Sequence, residues 1–481
     1  GEAGICHLSF VNCQLSLVIG HWSLVIGDWV GWWTRGGFFE ISAITCGGLV
    51  QSAKIDAMKI ALITAGGAGM FCGSCMQDNT LARALRMAGA DALLLPTYTP
   101  IRVDEEDVSG SRVFLGGLNV YLDSKVPGWR LLPRKMKRWL DRPGLVKLLS
   151  RLSSSTNASD LGPLTIDLLK GSNGPQQAEI EELIRYLCDE LRPDVILFSN
   201  ALLSGVVPEL RRQFSGRICC LLQGDDIFLN GLSEPWRSRA ISLVSQNAVH
   251  FDAFLTHSQF YADFMQQYLT LPAKRFRTIP LAIEDLPASA ITPRTANSDA
   301  RLTVGYFARI CPEKGAFRFL DAAEQVLPRK PELQMVMGGY LPEQSRRRFE
   351  LRLKEIQSVA PDRLKWAGSP ASRDEKFRLI QSFDWLCVPS EYREPKGLYA
   401  LEAALVGVPS LLPAHGAFPE RIAVLGSGLL FNPESPDSLQ TLLSQLPARV
   451  AEEGRHLRDR CLSNFGMEQT GRQVLEVLGR L

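Results

Sequence analysis

The sequence predicts an α/β chain built as two doubly wound domains that face each other across a cleft. Three observations carry that expectation. Short apolar runs bounded by Gly, Pro and Ser alternate with longer stretches of helical spacing, the pattern of parallel strands and their crossover helices. The alternation starts twice, at residue 58 and again at residue 301. Between the two starts, residues 288–300 are mostly Pro, Ala, Ser and Thr with little apolar pattern, which reads as a linker.

Residues 1–57 stand apart. S-L-V-I-G-H-W at 16–22 recurs almost unchanged as S-L-V-I-G-D-W at 23–29, and four of the nine tryptophans crowd here. A membrane helix needs about 20 uninterrupted apolar residues, and His21, Asp28 and several glycines break every candidate. A signal peptide starts on basic residues, whereas Glu2 precedes the first apolar run. The expectation is a native start at Met58, with residues 1–57 an unassigned leader, disordered or translated from upstream sequence.

Residues 58–287 are the expected first domain. An apolar run at 58–64 leads into Gly66-Gly-Ala-Gly69, then helical spacing through Leu81, Ala84, Leu85 and Ala88, then a second run at 91–95. Strand, glycine turn, helix and strand open a doubly wound sheet. Gly67 and Gly69 let backbone approach a ligand and are candidates for one wall of the cleft; a plain tight turn is the alternative. A dinucleotide fingerprint is not met, because Cys72 stands where its third glycine belongs and no acid closes the second strand.

An irregular insertion at about 104–176 interrupts the alternation. Its segment 129–139 sets Arg134, Lys135, Lys137 and Arg138 among Leu131, Leu132, Met136 and Trp139. That segment is a candidate for peripheral contact with an anionic membrane, against the plainer reading of a solvated helix face. Residues 153–174, rich in Ser, Asn and Gly, read as a mobile loop. Helices near 178–191 and 206–214 and strands at 195–198 and 218–222 then deliver Gln223-Gly-Asp-Asp226 to the carboxyl end of a strand, where open parallel sheets bind ligands. Asp225 and Asp226 are placed to act on a ligand hydroxyl or to cap a helix.

In the second domain, 301–481, a strand at 302–307 and a loop at 308–314 precede a helix over 315–327. Arg309 and Lys314 beside that helix start put two cations where a diphosphate would sit. Further strands are expected at 333–337, 364–366, 385–388 and 410–412, and the final helix is a candidate to cross back to the first domain. Residues 389–409 read P-S-E-Y-R-E-P-K-G-L-Y-A-L-E-A-A-L-V-G-V-P, with Glu394 in a loop and Glu402 one to two turns into a helix that starts near Gly397. Both carboxylates are placed to face one pocket and accept hydrogen bonds from sugar hydroxyls; an acidic loop and an ordinary helix-surface Glu are the alternative.

Composition limits the partners. The chain has 481 residues, 46% of them apolar, enough for large cores and two to four domains. Lys and Arg number 53 against 51 Asp and Glu, a net charge of +2, so no global field recruits nucleic acid and no such partner is expected. The 11 cysteines show no repeated spacing; Cys72-Gly-Ser-Cys75 lacks the second pair or histidines of a zinc site. Unpaired thiols in a chain this long fit a reducing cytoplasm.

Taken together, Gly305-Tyr-Phe-Ala-Arg309, Lys314-Gly315, Glu394, Glu402 and Gly407-Val-Pro409 resemble the GT-B retaining glycosyltransferases of family 4. The resemblance runs from about residue 58 to the end and is most specific in the carboxyl-terminal half. It implies two Rossmann-like domains, the first on the acceptor side with Gln223, Asp225 and Asp226, the second binding a nucleotide diphosphate sugar. It implies that Arg309 and Lys314 hold the diphosphate and stabilise the leaving group, that Glu394 faces the transferred sugar and that Glu402 binds the ribose. Gly67, Gly69, Lys396, Gly397 and Leu398 would complete the donor site. No permanently bound cofactor is implied, and no metal, because two cations and a helix N-terminus take its place. The common E-G-F-G is here Glu394-Pro-Lys-Gly397, which loses a backbone donor at Pro395, adds a cation at Lys396 and resembles the E-P-x-G-L of starch and glycogen synthases. The amino-terminal histidine often facing the donor sugar is not evident, and Gln223 or Asp225 stands near its place. The implied activity is hexose transfer to a hydroxyl acceptor; an α-glucan synthase-like enzyme and a silent nucleotide-sugar-binding module are the alternatives.

Overall fold

The apolar runs become strands because both of their faces are buried, as crossover helices require of a parallel sheet. The computed structural model describes residues 57–66, 73–101, 103, 105–110, 113–114, 161–287, 301–448 and 450–481. Most of the leader, Gly67, Gly69, Cys72 and the segment 129–139 lie outside the described residues.

The first sheet holds β1 (Lys59–Thr64), β2 (Asp91–Pro96), β3 (Val195–Phe198), β4 (Arg217–Leu221), β5 (Ala253–Thr256) and β6 (Phe276–Thr278). Their order is β2-β1-β3-β4-β5-β6, every pair parallel. The second holds β7 (Leu302–Phe307), β8 (Leu333–Gly338), β9 (Leu364–Trp366), β10 (Trp385–Cys387), β11 (Ser410–Pro413) and β12 (Leu429–Phe431). Its order is β12-β11-β10-β7-β8-β9, again all parallel. Strand order reverses between β1 and β3 in one sheet and between β7 and β10 in the other. Chains leave the two sides of such a point in opposite directions and open a crevice at the carboxyl ends.

The helices that frame these crevices are α1 (Gly73–Met87), α2 (Asp225–Asn230), α3 (Gln259–Tyr268), α4 (Ala316–Val326), α5 (Arg373–Gln381), α6 (Leu398–Leu405), α7 (Phe418–Leu425) and α8 (Met467–Gly479). α8 packs on the first sheet: Val474 and Leu478 are buried with Ile60, Leu62, Leu81 and Leu85. Close approach there depends on Gly471, since a Cβ at that position would stand 2.1 Å from the Ala84 carbonyl oxygen.

Two expectations are corrected. The stretch read as a mobile loop contains a helix, Gly162–Leu169, whose Pro163 starts it and whose Ile166 and Leu169 are buried. The apolar residues at this spacing outweigh the flanking Ser and Asn. The helix expected to reach residue 191 ends as an α-helix at Arg185; residues 186–191 widen into a π turn that closes on left-handed Arg192, φ 49°. β12 was not anticipated. Among the described residues no helix is long and apolar enough to cross a membrane.

Candidate active site

The site is built on the crevice between β7 and β10. Ser390 Oγ donates to the Glu313 carbonyl at 2.9 Å, and the backbone N–H groups of Glu391 and Tyr392 donate to the same oxygen at 3.1 Å. Tyr306, buried in β7, donates its hydroxyl to the Arg309 carbonyl at 2.9 Å and lies 3.2 Å from that of Lys314. Gly315 adopts φ 68°, and a Cβ there would lie 1.8 Å from the Pro389 carbonyl oxygen. The loops after β7 and β10 are thus stitched together by their own backbone.

That stitching brings Lys314 Nζ into a direct ion pair with Glu394 Oε1, and Nζ lies 5.7 Å from the centre of the Tyr399 ring. Glu394 is buried. Burial of the Lys314 ammonium, with the charges of Arg309 and Lys396 adding to it, lowers its pKa to about 8. Arg309 is exposed in the same loop. Gly315 and Gly397, at φ 68° and 71°, start α4 and α6, so two helix N-termini, with N–H groups that have no intrahelical partner, flank the ion pair. Leu398 is the first residue of α6 and half-buried.

Glu394 and Glu402 pair with different lysines. Glu402 lies one turn into α6 against Lys376 of α5, Oε1 to Nζ 3.2 Å, and lines a cavity of about 20 Å³ with Gln77, Glu105, Arg373 and Leu398. Among the described residues the buried Gln77 Nε2 has no hydrogen-bond partner.

The first domain closes over these loops. Tyr392 donates its hydroxyl to Asp226 at 3.1 Å, and Ser258 Oγ donates to the Pro395 carbonyl at 2.9 Å. Arg421 of α7 donates from Nε to the Lys396 carbonyl at 2.8 Å and from its guanidinium to the His257 carbonyl. Glu420 accepts from the N–H groups of Gln259 and Phe260, at 2.9 and 2.7 Å, and so caps α3 from the other domain. Lys396 Nζ reaches Ser74 Oγ at 3.1 Å and Gln223 Oε1 at 3.2 Å.

Gln223 is therefore on the cleft, but its two acidic neighbours are occupied elsewhere. Asp225 accepts from the Ala201 and Gln223 backbone N–H groups at 2.5 and 2.9 Å, and burial pushes it up to about 6. Asp226 accepts from Tyr261 at 2.7 Å as well as from Tyr392. Both brace the fold through these bonds; the helix that starts at Asp225 has Gly224 as its N-cap and no side-chain cap.

Sequence reasoning passed over Lys376, Arg373, Tyr392, Ser258 and Asp78. Asp78 left a readable trace, an acid three and seven residues before Leu81 and Leu85 on the buried face of α1. It is fully buried, with Oδ2 accepting from Thr64 and Oδ1 from Gln223, both at 2.7 Å. Burial pushes it up to about 7, against the pull of those bonds and of Lys396. A cavity of about 650 Å³ opens at the opposite, amino ends of β3, β4 and β5, among Arg192, Asp194, Arg217 and Asp252, and is remote from this chemistry.

Comparison with known proteins places residues 290–454 within the family model described as glycosyl transferases group 1. The chain is 25% identical over 214 residues to the GDP-mannose-dependent monoacylated alpha-(1-6)-phosphatidylinositol monomannoside mannosyltransferase of Corynebacterium glutamicum, covering 43% of this chain and 53% of that protein. It is 29% identical over 191 residues to the lipopolysaccharide core biosynthesis mannosyltransferase LpsB of Rhizobium meliloti, covering 37% and 51%. The chain spans about half the length of the curated relatives it matches. Among solved structures, Anabaena HepE in complex with UDP superposes with a TM-score of 0.57 at 16% identity, over 88% of this chain and 100% of that one. Sucrose-phosphate synthase from Thermosynechococcus elongatus gives 0.60 at 19%, over 88% and 98%. These likenesses show the fold, two facing Rossmann-like domains of the GT-B type.

Proposed function

We propose that the protein is a retaining hexosyltransferase that moves a hexose from a nucleotide diphosphate sugar to a hydroxyl acceptor without a metal. The observation that carries this reading is the Lys314–Glu394 pair at the reversal point of the second sheet, flanked by the starts of α4 and α6. The donor's diphosphate lies over those helix starts, between Lys314 and Arg309. As the bond from the anomeric carbon to the phosphate oxygen breaks, both cations stabilise the charge that develops on the leaving group. The acceptor oxygen bonds to the anomeric carbon from the same face, and its proton passes to the departing phosphate oxygen. Glu394, already fixed by Lys314, orients the hexose through its hydroxyls; Glu402, fixed by Lys376, takes the ribose. Gly67 and Gly69, outside the described residues, are assigned to the donor side, and Gln223 to the acceptor side.

Mannose is the first sugar to test, because two relatives are named as mannosyltransferases. A cytoplasmic enzyme touching the membrane through 129–139 belongs to the same proposal, since one relative's named acceptor is a phosphatidylinositol mannoside. Thermal melting with UDP, GDP and ADP, followed by hydrolysis of a donor panel, tests the reading. Stabilisation by one diphosphate with turnover of its sugar is expected; no stabilisation by any of them overturns it. Stabilisation without turnover identifies a silent binding module instead.

A further inference from the structure

We propose that Asp78 is a positioning residue: by holding the amide of Gln223 it turns that carbonyl toward Lys396, and so seats the Lys396 ammonium at the donor-sugar end of the cleft as the two domains close. The inference rests on the hexosyltransferase reading for what the ammonium meets, but its geometry stands without it.

Gln223 Nε2 donates to Asp78 Oδ1 at 2.7 Å and lies 3.3 Å from the Ser199 carbonyl oxygen. Both amide protons are thereby spent inside the first domain, which leaves Oε1 as the atom presented to the cleft. The inverted amide would set Oε1 against the Ser199 carbonyl oxygen and, with Asp78 ionised, against a carboxylate as well. The ionised form of Asp78 fixes the orientation. Asp78 itself cannot turn, because Thr64 at the end of β1 holds its other oxygen at 2.7 Å.

The recipient of that carbonyl belongs to the other domain. Lys396 Nζ, 3.2 Å from Gln223 Oε1 and 3.1 Å from Ser74 Oγ, is carried by the loop that also carries Glu394. Its backbone is held independently, by Arg421 on the Lys396 carbonyl and Ser258 on the Pro395 carbonyl. Removal of Asp78 should therefore take the Gln223 carbonyl from Lys396 and loosen its side chain, which keeps Ser74 Oγ, without displacing the loop. A carboxylate buried merely to join β1 to the β4 loop would have no such distant effect.

Amine labelling of the full chain, read by mass spectrometry, tests the geometry. In Asp78→Leu, which removes the acceptor at similar shape, labelling of Lys396 should rise several-fold while that of Lys376 stays at the wild-type level. Gln223→Met, which cuts the same chain and keeps the side-chain volume, should do likewise, so a failure of Asp78→Leu to fold does not decide the matter. Unchanged labelling of Lys396 in a folded variant, or an equal rise at Lys376, overturns the proposal. Hydrolysis of GDP-mannose supplies the second readout. Asp78→Leu should lower kcat/KM about ten-fold, the usual weight of a hydrogen bond to a charged group. In a Lys396→Met background the same substitution should change it less than about two-fold. Equal losses in both backgrounds make Asp78 structural only. Should the wild type not turn over this donor, the mannose assignment is weakened while the labelling still decides where Asp78 holds Lys396.

Discussion

The two halves of the cleft use charge differently. On the carboxyl-terminal side the acids are paired with cations, the buried Glu394 with the half-buried Lys314 ahead of α4 and Glu402 of α6 with Lys376 of α5. On the amino-terminal side, Asp78, Asp225 and Asp226 are buried and committed to hydroxyl, amide and backbone donors. The difference teaches that one wall presents charges a ligand can exchange with, while the other stores charges that orient neutral groups. An acid on the first wall is a contact; an acid on the second is a brace.

Substitutions can break or sharpen that contrast. The largest expected effect is Lys314→Ala, which removes a preorganised cation and should lower donor hydrolysis a hundred- to a thousand-fold, roughly the loss seen when one charge-stabilising donor is deleted. Turnover that survives this change would falsify the proposed role of Lys314. Next comes the brace that is not polar at all. Gly471→Ala forces α8 away from α1 and should cost about 1–3 kcal/mol of stability, the usual range for overpacking, read as a lowered Tm with nucleotide affinity retained. Glu402→Gln should weaken nucleoside diphosphate binding about ten-fold by calorimetry, since the ribose loses a charged acceptor; an unaltered affinity would move the ribose elsewhere. Tyr392→Phe deletes the bond to Asp226 from one domain only and should cost about 1 kcal/mol in thermal melting.

The smallest effect is one of pH. Lys314 is held at about 8, so it is charged below that value and loses its proton as pH rises through it. Diphosphate binding should therefore be strong near pH 7 and weaken several-fold by about pH 9.5, as the neutral fraction grows. A flat profile in that range would show that Glu394 and the bound phosphates keep the proton in place.

The contrast also explains what could be read from residues alone. Lys314, Gly315, Glu394 and Gly397 act through local structure, a strand exit and a helix start, and such features leave a mark in a few consecutive residues. The partner of Glu402 was not visible, because it is Lys376 of α5, a residue brought in by the fold. In the first domain, Gln223 was found from its place at a strand end, whereas Asp78 lies 145 positions away and acts on it through a single hydrogen bond. Asp225 and Asp226 looked equally suited to chemistry or capping, since spacing does not show which donors will surround a carboxylate. The helix within 162–169 was hidden by its polar flanks, and only burial of Ile166 and Leu169 against the domain core makes it stable.

The seat of α8 on α1 has a further consequence, in the order of folding. The first sheet is synthesised early, yet Val474 and Leu478 belong to its core. The core on that face of the sheet, which α1 covers in part, is complete only with residues that follow the second domain in the chain. Full stability of the half that emerges first from the ribosome is thus expected to wait on the chain's last helix.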